Sequence, residues 1–318
     1  MYDVVGVDMP CMDLNVNTER FPRVGDAESI KQISWQGGNK VASGMVACAR
    51  LGAKCAMMGC VGDDIFGRFI IKDFERHGID ITTMKMRESS STSLSIVLSD
   101  YQTKNRTFMF RSGSAPRYTL EDMDFELIRS AKYFFISNAC DEIKEAVKIA
   151  REAGTQVFID ADYYDKEIER LIPEIDVFVG SEDFYNALFS DREYETNCRK
   201  VMAMGSRIVV FTLGENGCVG VSDEGFFSLP AFSVNATDTV GAGDVYHGAF
   251  LAGLLRDLSV KETARFASAA AAIKCTRIGG RAGIPDIKTL ERFMEDGTIN
   301  YTEIDKRVEF YERGLEHS

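Results

Sequence analysis

The stretch Asp238-Thr239-Val240-Gly241-Ala242-Gly243-Asp244 lies directly before Val245–Leu255, a run in which apolar residues recur with helical spacing. This spacing predicts a helix with one apolar face, formed by Tyr246, Ala249, Phe250, Gly253 and Leu254. The small residues before it would form the entry to the helix, where a ligand can come close to the backbone. The first N–H groups of a helix have no internal partner and lie at the positive end of its dipole. The stretch therefore predicts a binding site for phosphate or a developing anion.

Asp244 falls in the first turn of this helix, beside the predicted anion site. A carboxylate there can take the proton of a nucleophile that attacks a phosphate group. The simpler interpretation is a first-turn acid that suits the helix dipole. The motif Asp-Thr-x-Gly-Ala-Gly-Asp resembles the second signature of the PfkB (ribokinase-like) sugar kinases, and the match is complete. The resemblance implies that Asp244 deprotonates a sugar hydroxyl and that the N–H groups of Gly241, Ala242 and Gly243 form the anion hole for the transferring phosphoryl group.

The chain has the length and composition of an ordinary α/β protein: 318 residues, 45% of them apolar. Its formal charge of −12, from 37 basic and 49 acidic residues, argues against nucleic acid or an anionic membrane as partner. Eight scattered cysteines form no CxxC pair and suit a reducing compartment. The sequence shows no signal peptide and no stretch that could span a bilayer, so we expect a cytoplasmic protein.

Two kinds of segment alternate along the chain. Strands fenced by amphipathic helices predict an α/β core with a mostly parallel sheet covered on both faces, formed by residues 1–13, 36–91 and 112–318. Residues 14–35 and 92–111 instead show strand-like alternation, and the polar turn Asp100–Asn105 predicts a hairpin. The resemblance implies a ribokinase-like three-layer α/β/α sandwich in which the second group of segments forms a small β-sheet lid. In that family the lid covers the sugar and is often the contact of a homodimer.

Candidate sugar-binding residues lie near the first strand and in the lid. Asp13 follows the predicted strand Val4–Val7 in what we expect to be a loop, where a carboxylate can accept bonds from two hydroxyls or act as a turn residue or helix cap. The loop Gly37-Gly38-Asn39-Lys40 resembles the first PfkB signature, although Ala42 replaces an asparagine of many relatives; its glycines also suit a plain tight turn. Arg111 ends the lid and is either an anion-binding residue or a solvated cation.

The segment Thr212-Leu213-Gly214-Glu215-Asn216-Gly217 resembles the nucleotide loop of the family, which implies that Thr212, Gly214 and Gly217 contact ATP. Two glycines after a strand also suit a hairpin turn. The segment Ser181–Phe184 falls where many relatives carry an Asn-x-x-Glu motif tied to Mg²⁺, and its changed residues leave Glu182 or Asp183 as candidates. The resemblance thus implies ATP and Mg²⁺ as cofactors.

The last third of the chain carries a further family feature. Relatives hold a monovalent cation, K⁺, through carbonyl groups, which implies a site at Asp238, Val240 and Gly280. The run Ala267–Asp286 is most similar to the ketohexokinase and sulfofructose kinase branch of the family. No role is predicted for the polar tail Gly297–Ser318.

Taken with the resemblance, the sequence predicts an ATP-dependent sugar kinase that transfers the γ-phosphoryl group to a hydroxyl of a ketose or ketose derivative. Two alternatives stay open. One is a nucleoside kinase of the same superfamily. The other is a sugar-binding sensor without turnover, which the altered Ser181–Phe184 motif favours and the intact Asp244 opposes.

Overall fold

The computed structural model describes residues 1–102 and 106–317, so residues 103–105 of the predicted turn Asp100–Asn105 lie outside the described residues. The strands of the described part are β1 (Val4–Asp8), β2 (Cys11–Thr18), β3 (Ile30–Gly38), β4 (Cys55–Gly62), β5 (Met84–Arg87), β6 (Leu94–Asp100), β7 (Arg106–Arg111), β8 (Tyr133–Ile136), β9 (Gln156–Ala161), β10 (Val177–Ser181), β11 (Ile208–Thr212), β12 (Cys218–Ser222) and β13 (Gly225–Leu229). Its helices are α1 (Lys40–Arg50), α2 (Ile65–Arg76), α3 (Phe125–Arg129), α4 (Asp141–Ala153), α5 (Lys166–Leu171), α6 (Glu182–Leu188), α7 (Tyr194–Ala203), α8 (Ala242–Leu254), α9 (Val260–Lys274), α10 (Ile287–Asp296) and α11 (Tyr301–Glu312).

Nine strands form the central sheet, in the order β13-β12-β11-β10-β9-β8-β1-β4-β5. The seven neighbouring strands from β11 to β5 run parallel to one another. Strand β12 pairs antiparallel with both of its neighbours, β11 and β13. Helices cover both faces, because one apolar cluster packs α1, α2 and α8 to α11 against the sheet and another packs α3 to α7 against its other face. The predicted doubly covered, mostly parallel sheet is confirmed. The carboxyl ends of its strands therefore share one edge, where ligands bind in open α/β sheets.

A second sheet of four strands, in the order β3-β2-β6-β7, stands apart from the first. Strands β6 and β7 pair antiparallel, as the predicted hairpin requires. Asp13 lies within β2, opposite Gln36 of β3, and not in the expected loop. The strand begins as early as Cys11 because its backbone pairs with both β3 and β6. The small sheet is called the lid below.

Helix α8 differs from the predicted amphipathic helix, because all residues from Val245 to Gly253 are buried. It packs between α1 and α9 instead of lying at the surface. Small residues make this possible: a Cβ on Gly248 would lie 1.9 Å from the backbone oxygen of Gly44 in α1. The prediction of a single apolar face was therefore wrong, since the helix is apolar on every side that its neighbours cover.

The polar tail contains helix α11, which the sequence left without a role. Its buried side chains, Ile304, Arg307, Val308 and Tyr311, recur with helical spacing. The hydroxyl of Tyr311 donates to Asp73 at 2.8 Å, and Arg281 pairs with the same carboxylate at 2.7 Å. The tail thus closes the core around a buried ion pair. Among the described residues, no helix is both long and apolar enough to cross a membrane.

Candidate active site

The turn before α8 is shaped by contacts that only glycine allows. Gly241 has a φ of 70°, and a Cβ there would lie 2.7 Å from the Cα of Gly280. The carboxylate of Asp238 accepts the N–H groups of Val240 and Gly279, each at 2.9 Å. These bonds fix the turn to the loop that contains Gly279 and Gly280. The N-terminus of α8 is therefore held in place by the protein before any ligand arrives.

The free N–H groups at this N-terminus differ from the predicted set. Ala242 N–H donates to the carbonyl of Thr239 at 3.2 Å, whereas no backbone acceptor within the described residues takes the N–H groups of Gly241, Gly243 or Asp244. Gly243 is exposed, and a Cβ on it would meet no atom within 4 Å. Unpartnered N–H groups beside open space are what an anion site at a helix N-terminus requires.

Asp244 lies among other acidic groups at the carboxyl edge of the sheet. Burial raises the pKa of its carboxyl well above the ordinary value, and the charges of Asp160 and Asp162 raise it further. Lys40, whose Nζ lies 3.4 Å from Asp162, opposes this rise. The charge of Asp13 of the lid also raises the pKa of Asp244. A carboxyl with a raised pKa is a stronger base, which suits removal of a proton from a hydroxyl.

His247 ties α8 to the strands beneath it, a role that the sequence did not indicate. Its Nδ1 lies 2.6 Å from the carbonyl oxygen of Gly243 and 3.3 Å from the carboxylate of Asp160. Its Nε2 lies 3.2 Å from the carbonyl oxygen of Val179. The ring is 2% exposed and Asp160 is 1% exposed. His247 thereby fixes the Gly243–Asp244 peptide relative to β9 and β10.

A cavity of about 440 Å³ opens between the end of β1, the start of α1, the lid strand β7 and residues 112–118. Asn39 lines it and donates to Asp8 at 2.9 Å and to the carbonyl of Met9 at 2.8 Å. Burial raises the pKa of Asp8 to about 6, although Ala42 N–H donates to its carboxylate. The cavity also contains Lys40 and is wide enough for a small hydroxylated molecule.

Asp13 and the glycine pair are packed together beside this cavity and are not among the residues that line it. A Cβ on Gly38 would lie 2.2 Å from the carboxylate of Asp13, and one on Gly37 would lie 2.1 Å from the guanidinium of Arg281. These glycines are needed for close packing at the end of β3. Burial raises the pKa of Asp13 to about 6. Its role in binding a sugar stays a prediction.

Comparison with known proteins agrees with this geometry. The sequence profile of the family described as pfkB family carbohydrate kinase matches residues 1–287. The protein belongs to this family. The chain is similar to 5-dehydro-2-deoxygluconokinases of Geobacillus kaustophilus (29% identity, covering 92% of this chain and 93% of the relative) and Clostridium perfringens (26%, covering 95% and 96%).

Solved structures show the same fold. A ribokinase of Thermotoga maritima superposes with a TM-score of 0.80 at 24% identity, covering 93% of this kinase and all of the other chain. A protein of E. coli designated ribokinase II, in complex with ATP and Mg²⁺, superposes with a TM-score of 0.81 at 20% identity, covering 93% and 99%. The ribokinase-like fold of this carbohydrate kinase is thereby confirmed.

The predicted nucleotide loop of the kinase forms the turn of a hairpin. Leu213 N–H donates to the carbonyl of Gly217 at 2.8 Å, and β11 and β12 pair on either side. Gly214 and Gly217 both have positive φ, and a Cβ on Gly217 would lie 2.0 Å from the backbone oxygen of Leu229. Packing thus requires Gly217. The contact of Thr212, Gly214 and Gly217 with ATP stays a prediction.

The Ser181–Phe184 segment begins helix α6. The hydroxyl of Ser181 accepts the N–H of Phe184 at 3.1 Å, and Glu182 pairs with Arg192 at 3.1 Å. In the part of the chain that the structure describes, no three acidic, histidine or cysteine side chains converge tightly enough to hold a metal ion. Mg²⁺ commonly needs only one or two carboxylates beside substrate phosphates and water. Asp160 and Asp162 fit that need, and both carboxylate oxygens of Asp160 are buried without a hydrogen-bond partner.

Two cations near the cavity differ in their placement. Arg111, the predicted anion-binding residue, is exposed at the end of β7 and does not line the cavity. Arg117 is also exposed but lines the cavity, and its guanidinium lies 5.7 Å from the ring centre of Tyr118. No ion pair of Arg117 with a carboxylate is found within the described residues. The sequence analysis missed Arg117 because the segment around it shows no motif. A guanidinium in a cavity without a carboxylate partner is suited to bind an anionic group.

Asp238, one of the three residues predicted to hold a monovalent cation, already has partners for its oxygen atoms. Both oxygens of the Asp238 carboxylate already accept backbone N–H groups. The Asp238 carbonyl oxygen accepts the ammonium group of Lys274 at 2.9 Å. An ammonium group of the protein itself is therefore bound to one of the three residues predicted to hold K⁺, and the cation site as a whole stays a prediction.

Proposed function

We propose that the kinase transfers the γ-phosphoryl group of ATP to a hydroxyl of a ketose derivative that carries a carboxylate. Asp244 is the general base, and the N-terminus of α8 is the anion hole. The observation that carries this proposal is the position of Asp244: a carboxyl with a raised pKa, directly beside unpartnered helix N–H groups.

The residues divide the work of the reaction. Asp244 accepts the hydroxyl proton as the oxygen attacks the γ-phosphorus, and the bond to the ADP oxygen breaks. The N–H groups of Gly243 and Asp244 stabilise the negative charge on the transferring group. His247 holds the carbonyl of Gly243, so these donors need no rearrangement when the charge develops. Asp160 and Asp162 would hold Mg²⁺ together with the nucleotide, and the bound ion would supply positive charge against the phosphates.

The proposed substrate class rests on the residues that line the cavity and on the activity named for similar proteins. The name 5-dehydro-2-deoxygluconokinase denotes a kinase of a keto-gluconate, which carries a carbonyl and a carboxylate. The cavity of this kinase contains Lys40 and Arg117. These cations suit a substrate carboxylate. Phe110 lines the same cavity from the lid.

The lid supports a second part of the proposal, a homodimer. Phe108, Met109 and Phe110 on the edge strand β7 are 54%, 54% and 66% exposed. An apolar edge strand that stays uncovered promotes pairing with another chain. We propose that a second copy of the kinase covers it, with the lid closing over the sugar.

A coupled assay of ADP release tests the proposed activity. The panel contains neutral ketoses, keto-aldonates and adenosine, and binding is followed separately by melting temperature. We expect sugar-dependent ADP release, highest with a keto-aldonate. Binding of a sugar without ADP release from any panel member would instead establish the sensor, and release with adenosine alone would establish the nucleoside kinase.

A further inference from the structure

Lys274, the last residue of α9, has a side chain that is fully buried. Its ammonium group donates to the carbonyl oxygen of Asp238 at 2.9 Å. Lysine is almost never fully buried unless its charge is compensated, because removing an ammonium group from water is costly. Lys274 plays no part in the phosphoryl transfer described above, so its burial needs another explanation.

The ammonium group of Lys274 lies where the chain before α8 is bonded to the end of α9. Asp238, which is 3% exposed, is the first residue of the catalytic stretch. Its backbone N–H and that of Thr237 both donate to the carbonyl of Cys275, at 3.1 and 2.7 Å. The chain before the anion hole is thus clamped to the end of α9, and the ammonium group forms part of the clamp.

The clamp lies directly behind the anion hole. The carbonyl that receives the ammonium group belongs to the peptide between Asp238 and Thr239, and the next carbonyl, of Thr239, accepts the N–H of Ala242. A fixed positive charge at this point holds the turn and favours a negative charge at the N-terminus of α8. A monovalent cation bound through the same carbonyl would have the same effect.

A second cation cannot share this carbonyl without strong repulsion. Two unit positive charges held at the same carbonyl oxygen lie close together and repel each other in a site that is largely shielded from water. We propose that the ammonium group of Lys274 takes the place of the monovalent cation, so that turnover does not depend on K⁺. The turnover part of this inference rests on the proposed function.

Three proteins test it: the wild type, Lys274→Ala and Lys274→Met. Each is measured in K⁺, Na⁺ and tetramethylammonium buffers at equal ionic strength, by ADP release and by melting temperature without nucleotide. The control is Lys261→Ala, which removes an exposed lysine of the same helix.

For the wild type we expect equal melting temperatures and equal rates in all three buffers. In Lys274→Ala the removed side chain leaves space for a small cation. Loss of the clamp misplaces the anion hole, so turnover in tetramethylammonium should fall about 10²-fold. K⁺ should restore much of the loss and raise the melting temperature. Lys274→Met fills the space without a charge, so it should show the loss without rescue.

Two results would overturn the inference. One is a wild-type protein whose rate is several-fold higher, or whose melting temperature is several degrees higher, in K⁺ than in tetramethylammonium. The other is a Lys274→Met protein with wild-type melting temperature and no cation response. The melting temperatures require no turnover, so they decide the role of Lys274 even if the kinase releases no ADP with any sugar.

Discussion

The two walls of the active site are built in opposite ways. At the N-terminus of α8, charged groups are buried and each is held by a neighbour: Asp238 by two N–H groups and Lys274 by a carbonyl. At the lid, the edge strand β7 leaves three large apolar side chains exposed. The wall at α8 is thus held together within one chain, whereas the lid leaves an apolar surface that a second copy would cover in the proposed homodimer.

The two walls meet at several points, including Gln36 of β3, whose side chain bonds to the loop that contains Gly279. Arg106, at the start of β7, donates to the hydroxyl of Thr239 at 2.6 Å. The charge of Asp13, in strand β2 of the lid, raises the pKa of Asp244. A change on one wall should therefore reach the other through contacts of this kind. The following substitutions test each wall in turn.

Asp244→Asn should give the largest effect, on the catalytic wall. The amide cannot accept the hydroxyl proton, so turnover should fall by about 10²–10⁴, the usual value of a general base. The substitution removes a negative charge beside the phosphates, so ATP affinity should stay the same or improve. Steady-state kinetics and nucleotide titration measure both quantities. Retention of more than about a tenth of the turnover would show that Asp244 is not the base.

The double variant Phe108→Ser, Met109→Ser should weaken the homodimer by at least about 10²-fold, because each buried apolar side chain contributes about 1.5–3 kcal/mol. Analytical ultracentrifugation at micromolar concentration measures it. Phe110 is kept because it lines the cavity. Met204→Ser, at another exposed apolar position, is the control. A dimer that persists in the double variant, or a monomeric wild type, would show that the lid does not form a dimer interface.

Arg117→Met should act on the cavity between the walls. Loss of a charge-assisted bond should raise KM for a carboxylate-bearing sugar about tenfold and leave kcat nearly constant. A neutral ketose should show little change. Arg111→Met is the matched control, since Arg111 is exposed outside the cavity. Equal KM changes for acidic and neutral sugars would contradict recognition of a carboxylate by Arg117.

Asp13→Asn should have the smallest effect, on stability. Burial raises the pKa of Asp13 from 3.8 to about 6 in the folded protein. Its ionisation therefore destabilises the fold increasingly as pH rises from about 4 to 6, and the loss persists above. The variant should melt a few degrees higher than the wild type at pH 8 and about equally at pH 4. A larger gain in melting temperature at pH 4 than at pH 8 would contradict the expectation that the ionised Asp13 destabilises the fold. Asp223→Asn, at an exposed position, controls for net charge.

The parts of the molecule that follow from local sequence were predictable. The Gly241–Gly243 turn, the parallel sheet and the lid hairpin each depend on nearby residues and their spacing. Contacts between segments that are distant in sequence could not be predicted. The bond from Lys274 to Asp238 and the contact of His247 with Asp160 depend on how α8 and α9 pack on the sheet. Helix α11 was missed because its buried side chains include Arg307, whose charge hides the apolar spacing.

Whether the N-terminus of α8 receives the transferring phosphoryl group can be measured with a mimic of that group. Melting temperatures are measured with Mg²⁺, ADP and sugar, with and without aluminium fluoride, for the wild type and Gly243→Ala. A Cβ at Gly243 meets no neighbouring atom, so the variant should fold as well as the wild type. We expect aluminium fluoride to raise the melting temperature of the wild type strongly, since transition-state mimics bind at least about 10²-fold more tightly than substrates. The added methyl group should abolish that rise. An equal rise in both proteins, or none in the wild type, would contradict the proposed role of the N-terminus of α8.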